Sequence, residues 1–346
     1  MERRYALVLA GGGAKGIYQI GVWKALRELD ICYDVVVGSS IGAINGALMA
    51  QNDWDSAFEL WRTVTLEKIL ELPPHAGMKD FFVGVIKNFG VSAAPLKQLL
   101  ERHIDETKIR TSGIRYGLTT FNLSRLRQEE LFIEEIPEGE LIPHLLAATA
   151  FPGIKTQSIH GKRCIDGGIA DNIPFQIVRD SGYKNIIVVD ISGLGRNKIP
   201  DYEGVNLIYI KNSIDFGKIS TLFGVFDFNS EFLERFSRLG YLDTLKVFGR
   251  CFGIDYFIEE DECALKAREK LQNIGLLEEY RRLMPKNLRY YIKPEIAVAD
   301  VLAKHFNFER IVLYRFEEIS RLIRSKFNEN PSLKNKIGSL FEKLIV

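Results

Sequence analysis

The sequence predicts an α/β fold: a mainly parallel central sheet flanked by helices, with a helical C-terminal portion. Three observations carry this. Two continuous apolar runs, Tyr5–Ala10 and Val35–Val37, each end in a glycine-bearing turn, and the segment between them repeats its apolar residues at helical spacing, the pattern of a βαβ unit of about 30 residues. Strand-like and helix-like segments keep alternating to about residue 212. Beyond Ile214 the strand signals fade and mixed-charge helical patterns take over.

Tyr5–Ala10 reads as a buried strand because it is apolar throughout, and Gly11, Gly12 and Gly13 stop it. From Ala14 to about Leu29, Ile17, Ile20, Val22, Ala25, Leu26 and Leu29 recur with a helical period, and the Val35 strand follows. A right-handed parallel unit puts the loops Gly11–Gly13 and Gly38–Ser40 at the same carboxyl edge of the sheet, where open α/β folds hold their sites. Helices are expected near Ala57–Leu70 and Pro95–Ile104, on either side of a Pro- and Gly-bearing stretch from Leu72 to Gly84. Strands at Tyr116–Phe121 and Leu131–Ile133 flank a polar turn at Asn122–Gln128. Pro143–Ala150 reads as a helix of small residues that stops at Phe151-Pro152-Gly153, and strands at Asn185–Ile191 and Val205–Ile210 complete the alternation. Helical patterns at Asp261–Tyr280 and Pro294–Lys326 dominate the rest. The expected division lies near residue 252: an α/β domain over 1–252 with its motifs between about 5 and 212, since Leu233–Phe248 can return to pack on the sheet, and a mainly helical region over 253–346.

A chain of 346 residues with 46% hydrophobic content is long enough for one large α/β domain and an appendage. Its 46 Lys and Arg balance 45 Asp and Glu, which argues against a nucleic-acid partner. Cys32, Cys164, Cys251 and Cys263 form no C-x-x-C pair and read as free thiols in a reducing compartment. No signal-like segment precedes the first strand, and no apolar run approaches the ~18 residues of a membrane span. The expected location is the cytoplasm, with peripheral contact at a membrane surface left open.

The chemistry concentrates in three places. Gly38-Ser39-Ser40-Ile41-Gly42 is G-x-S-x-G between an apolar strand and a small-residue helix, so Ser40 reads as a nucleophile on a tight elbow that Gly38 and Gly42 permit. The following helix N-terminus favours negative charge developing on the attacked group. Gly11-Gly12-Gly13-Ala14-Lys15-Gly16 fits G-x-G-x-x-G, either a dinucleotide turn or a row of backbone N–H groups for an oxyanion. A dinucleotide site wants an acid at the far end of the second strand; Asp34 stands at its start, which favours the oxyanion reading. Asp166-Gly167-Gly168, followed by Asp171-Asn172-Ile173-Pro174, offers a carboxylate on a loop with little bulk, either a base for Ser40 or the acceptor of an Asx-turn. Asp171 and Asn172 read as organisers of that loop.

These motifs, together with Ala150-Phe151-Pro152-Gly153, resemble in order and spacing the patatin-like phospholipases over roughly the first 210 residues. The resemblance implies a three-layer fold, a Ser–Asp dyad carried by Ser40 and Asp166, and oxyanion donors from Gly11 to Gly16, supported by Gly167, Gly168 and Asn172. It also implies a calcium-independent acyl hydrolase acting on lipid esters, with no cofactor. Lys15 departs from the Arg common in the pattern, so the charge persists without the planar fork.

Two rival readings remain: a nucleotide-binding protein using Gly11–Gly16, and an α/β-hydrolase with a late histidine, for which His305 is the one downstream candidate. His75, His103, His144 and His160 show no zinc-ligand spacing, so no metal is expected. Phe81–Ile86 and the stretch Phe216–Phe228 read either as core packing or as apolar flaps over an acyl channel. Lys15 faces a similar choice between a substrate phosphate and a nearby carboxylate.

Overall fold

The central strands form where the sequence is apolar on both faces. In a computed structural model that describes residues 4–72, 83, 90–193, 196, 202–214, 225–333 and 335–345, β1 (Tyr5–Leu9) is fully buried after Tyr5, and β2 (Tyr33–Ser39) is buried from Val35 onward. A 3-10 turn at Gly13–Gly16 and helix α1 (Ile17–Glu28) join them, and α2 (Ile41–Ala50) leaves β2 directly. Then come α3 (Trp54–Thr63), α4 (Ala94–His103), α5 (Glu106–Thr111), β3 (Arg115–Asn122) and β4 (Arg127–Phe132). They are followed by α6 (Leu141–Ala148), β5 (Gln157–Ile159), β6 (Lys162–Asp166), α7 (Phe175–Asp180), β7 (Asn185–Asp190), β8 (Asn206–Lys211) and α8 (Ser230–Val247).

The sheet order is β5-β6-β3-β2-β1-β7-β8, with β4 also on β3. The run β3-β2-β1-β7-β8 is parallel, whereas β4 and β6 are antiparallel to β3, and β5 to β6. The register on β3 matters most. β4 pairs with Gly117–Asn122, β2 with Arg115–Thr119 and β6 with Thr120–Asn122, so β2 and β6 share one edge of β3 end to end. Ser39 is opposite Thr119 and Asp166 is opposite Thr120. β6 therefore delivers Asp166 to the point where β2 runs out.

Several elements differ from the sequence expectation. The helix expected at Ala57–Leu70 begins at Trp54, because the Asp53 side chain accepts the Ser56 N–H at 3.0 Å, and it ends at Thr63 before a separate 3-10 turn at Leu66–Lys68. β4 starts at Arg127 instead of Leu131, and β5 and β6 were not anticipated, because their polar residues fit partly exposed strands better than a buried pattern. α8 packs against α1 through two glycines: a Cβ on Gly21 would lie 1.8 Å from the Ser237 carbonyl oxygen, and one on Gly240 would lie 2.1 Å from that of Tyr18.

The chain divides into two compact units, 1–243 and 244–346, a division that falls inside α8 and ahead of residue 252. The second unit is built from α9 (Glu262–Lys270), α10 (Ile274–Leu283), α11 (Pro294–His305), α12 (Phe316–Glu329) and α13 (Lys336–Ile345) around a core that includes Ile296, Leu302, Phe316, Ile323 and Phe341. It also holds a short parallel pair, β9 (Phe257–Glu259) and β10 (Leu313–Arg315), that the fading strand signal did not suggest. The pattern at Asp261–Tyr280 is split where Asn273 caps α10, and that at Pro294–Lys326 is broken after His305. Among the described residues, no helix is long and apolar enough to cross a membrane.

Candidate active site

Ser40 closes β2 with φ 53° and ψ −126°, a positive-φ conformation that side chains other than glycine's rarely adopt. Its neighbours allow the bend. A Cβ on Gly38 would lie 2.1 Å from the Gly42 backbone, and one on Gly42 would lie 2.4 Å from the Leu9 carbonyl oxygen. The hydroxyl is thus presented at the carboxyl edge of the sheet, at the start of α2.

Asp166 ends β6 and is 2% exposed. Its carboxyl lines the same cavity as Ser40, whose side chain acts on its ionisation, and Oδ1 accepts the Gly168 N–H at 2.8 Å in an Asx-turn. Burial pushes the carboxyl up to about 6 from 3.8, and the nearby Ser40 side chain and the Gly168 N–H oppose that rise. Gly167 lets this loop close on β3: a Cβ there would sit 2.5 Å from Thr119 Oγ1.

The glycine-rich loop lies against both segments. Asn172 ties it down twice, its carbonyl accepting the Gly11 N–H at 3.2 Å and its side-chain amide donating to the Gly11 carbonyl at 3.1 Å. The Lys15 N–H is taken by the Gly12 carbonyl at 3.3 Å. Of the six residues from Gly11 to Gly16, Gly12 and Gly13 line the same cavity as Ser40 and Asp166, while Ala14, Lys15 and Gly16 are buried beneath. Lys15 is 1% exposed and donates to the Ser192 carbonyl at 2.8 Å, a role that neither sequence alternative named. The turn is crowded where side chains would stand: a Cβ on Gly12 would meet Ile191 at 2.8 Å, and one on Gly13 would meet the Val225 carbonyl oxygen at 2.3 Å.

A buried polar brace under the loop escaped the sequence reading. Asn45 Nδ2 donates to the Gly16 carbonyl at 2.9 Å and to Gln19 Oε1 at 2.8 Å, Asn45 Oδ1 accepts from Trp61 at 2.9 Å, and Gln19 Nε2 donates to the Ala10 carbonyl at 2.7 Å. The available signal was an amide on each of two otherwise apolar helix faces.

Ser40 and Asp166 open into a mainly apolar cavity of about 740 Å³, counting its mouth, walled by residues such as Ile44, Leu70, Leu96, Phe151 and Ile154. Val225, Phe226 and Phe228 line it too; 216–224 and, apart from Val83, Phe81–Ile86 lie outside the described residues. Among the described residues, no histidine lines this cavity, and no cluster of His, Cys, Asp and Glu is arranged for a metal. His144 contacts the Glu140 carbonyl, His160 the Glu140 carboxylate, and His305 lies against the Phe306 ring. His75 lies outside the described residues.

The family profile described as Patatin-like phospholipase matches residues 7–179. A patatin-like phospholipase domain-containing protein of Caenorhabditis elegans is 29% identical over 212 residues, 57% of this chain and 14% of that protein. Lysophospholipase nte1 of Aspergillus terreus is 28% identical over 213 residues, 58% of this chain and 13% of that protein. The chain thus spans about one seventh of the length of these relatives. Among solved structures, VipD from Legionella pneumophila aligns over 100% of this chain and 92% of its own, at 14% identity and a TM-score of 0.42.

Proposed function

The chain belongs to the patatin-like phospholipase family, and from that premise we propose that it is a serine hydrolase that cleaves carboxylic esters of lipids, a phospholipid, lysophospholipid or glyceride, through an acyl-enzyme formed on Ser40. The observation that carries this reading is a strained, positive-φ Ser40 lining one apolar cavity together with the buried carboxyl of Asp166, whose ionisation the Ser40 side chain influences.

A carboxylate of ordinary pKa is a weak base towards a serine hydroxyl. Asp166, raised to about 6, is a better one. In the first half-reaction Ser40 Oγ attacks the ester carbonyl carbon as its proton passes to Asp166. The carbonyl oxygen takes up negative charge towards the N–H groups of Gly12 and Gly13 and the N-terminus of α2, fixed dipoles that need no reorganisation. The tetrahedral species collapses, the C–O bond to the alcohol breaks, and Asp166 returns its proton to the leaving oxygen. Water then repeats the sequence against the acyl-enzyme and releases the fatty acid. An ester suits this dyad, because an amine leaving group needs a stronger acid than the scheme supplies. The apolar walls, Val225, Phe226 and Phe228 among them, favour an acyl chain.

The test is covalent. A fluorophosphonate probe is expected to label the wild type and not Ser40→Ala, and Asp166→Asn should lose fatty-acid release from lysophospholipids, diacyl phospholipids and glycerides alike. Full turnover in Asp166→Asn would remove it as the base, and absent labelling together with NAD or ATP binding would replace the hydrolase with a nucleotide binder.

A further inference from the structure

The loop between α10 and α11, in the second unit, carries Tyr290 at 82% and Ile292 at 81% exposure, the two most exposed large apolar side chains described. They are held outward. Tyr291 between them turns in to the unit's core, and its hydroxyl accepts the Gly253 N–H at 2.9 Å. Met284 and Leu288 are buried, the Leu288 N–H bonds the Pro285 carbonyl at 2.9 Å, and the Tyr291 N–H bonds that of Leu288 at 3.0 Å. The Tyr280 hydroxyl also donates to the Leu288 carbonyl. An anchored loop with two bare apolar side chains has ordered them in advance for a surface outside the unit.

The charge in their own stretch of chain is of one sign. Residues 281–293 contain Arg281, Arg282, Lys286, Arg289 and Lys293 and no Asp or Glu. Lys293 is spent on Glu260 at 2.8 Å, and Arg281 lies over the Tyr290 ring at 5.4 Å. Among the described residues, Arg281, Arg282, Lys286 and Arg289 enter no ion pair, and the neighbouring Glu279 is held by Lys343 at 2.8 Å. A protein-binding patch keeps charge, lysine above all, out of its centre. An aromatic and an aliphatic tip on a segment that carries four cations outside any described ion pair instead match the headgroup zone of an anionic bilayer, where tyrosine sits at the interface and Lys and Arg meet phosphates.

We infer that this face of the second unit docks on an anionic lipid surface, with Tyr290 and Ile292 entering the interface and Arg281, Arg282 and Lys286 lying against headgroup phosphates. The docking is read without turnover, so it stands or falls apart from the catalytic proposal. The experiment is cosedimentation of the full chain with vesicles of phosphatidylcholine alone and of phosphatidylcholine with phosphatidylserine. The wild type and Ser40→Ala should bind the mixed vesicles equally, lose binding as salt is raised, and ignore the neutral ones. Arg282→Gln with Lys286→Gln should weaken binding about 25-fold, at about five-fold per charge. Tyr290→Ser with Ile292→Ser should also release the protein, and both pairs should keep the wild-type melting curve and hydrolysis of a soluble ester. Equal binding to both vesicles, binding to neither, or wild-type binding by both double variants would overturn the inference. So would self-association of the wild type, lost in the same variants and seen without vesicle binding, which would give the face to a second copy of the chain.

Discussion

Asp166 is the group through which pH should act on both stability and turnover, in opposite directions. Burial holds its carboxyl at about 6 in the folded chain, against 3.8 for the ordinary group. A gap of about two units at about 1.36 kcal/mol each makes ionisation in place cost about 3 kcal/mol. Below about pH 4 both folded and unfolded chains hold the proton, and the cost is absent. Between about pH 4 and 6 the unfolded chain ionises first, so stability falls as pH rises, and above about pH 6 the whole cost is present. Asp166→Asn, which cannot ionise, should therefore gain on the wild type by up to about 3 kcal/mol between about pH 4 and 8. The Ser40 side chain and the Gly168 N–H are already contained in the value of about 6, and the contacts of the uncharged side chain in Asp166→Asn do not vary with pH, so the pH-dependent part of the difference is that of the wild-type carboxyl alone. Catalysis runs the other way, because only the ionised carboxylate accepts the Ser40 proton: kcat/KM should rise through about pH 6 and at about pH 5 stand near a tenth of its plateau. Urea unfolding of both proteins across this range, and kcat/KM of the wild type on a soluble ester, read the two effects. A stability difference independent of pH, or an acid limb centred near about pH 4, would refute the buried-base reasoning.

The elbow makes two further predictions. Ser40→Gly should abolish fluorophosphonate labelling and raise stability in denaturant by about 1 kcal/mol, because it relieves a conformation that costs a non-glycine residue about 1–3 kcal/mol; Ser40→Ala should abolish labelling without that gain, and equal stability of the two variants would count against the strain. Gly38→Ala puts a methyl group 2.1 Å from the Gly42 backbone and should destabilise the chain by about 3 kcal/mol or more, whereas a melting curve matching the wild type would mean that the strand and helix do not meet so closely.

What the sequence disclosed follows how local each determinant is. The elbow was legible because its requirements lie within five residues: an apolar strand, glycines on both sides of Ser40, and a small-residue helix. The first βαβ unit was legible for the same reason. β6 was not, because Lys162 and Arg163 are exposed and Lys162–Asp166 carries no apolar run. β9 and β10 are three residues each, too short for any period to register. For the glycine loop, composition did not disclose which amides are used within the protein: Asn172, some 160 residues away, takes the Gly11 N–H, and the Gly12 carbonyl takes that of Lys15.

The pairing of Ser40 with Asp166 depends on a register that no local pattern encodes. β4 fixes one edge of β3 over Gly117–Asn122, and β2 uses the other only as far as Thr119, so Thr120 is the first residue free to receive β6. A shift of one residue in the β3–β6 pairing would turn Asp166 to the opposite face of the sheet and leave Ser40 against a backbone with no carboxyl. The exposed residues of β6 hold that register weakly. The buried ones, Cys164 at 2% exposure and Asp166 itself, hold it firmly, together with the Asp166 N–H bond to the Ala150 carbonyl at 3.1 Å and the approach of Gly167 to Thr119. The acid is thus both the proposed base and part of what aligns its own strand.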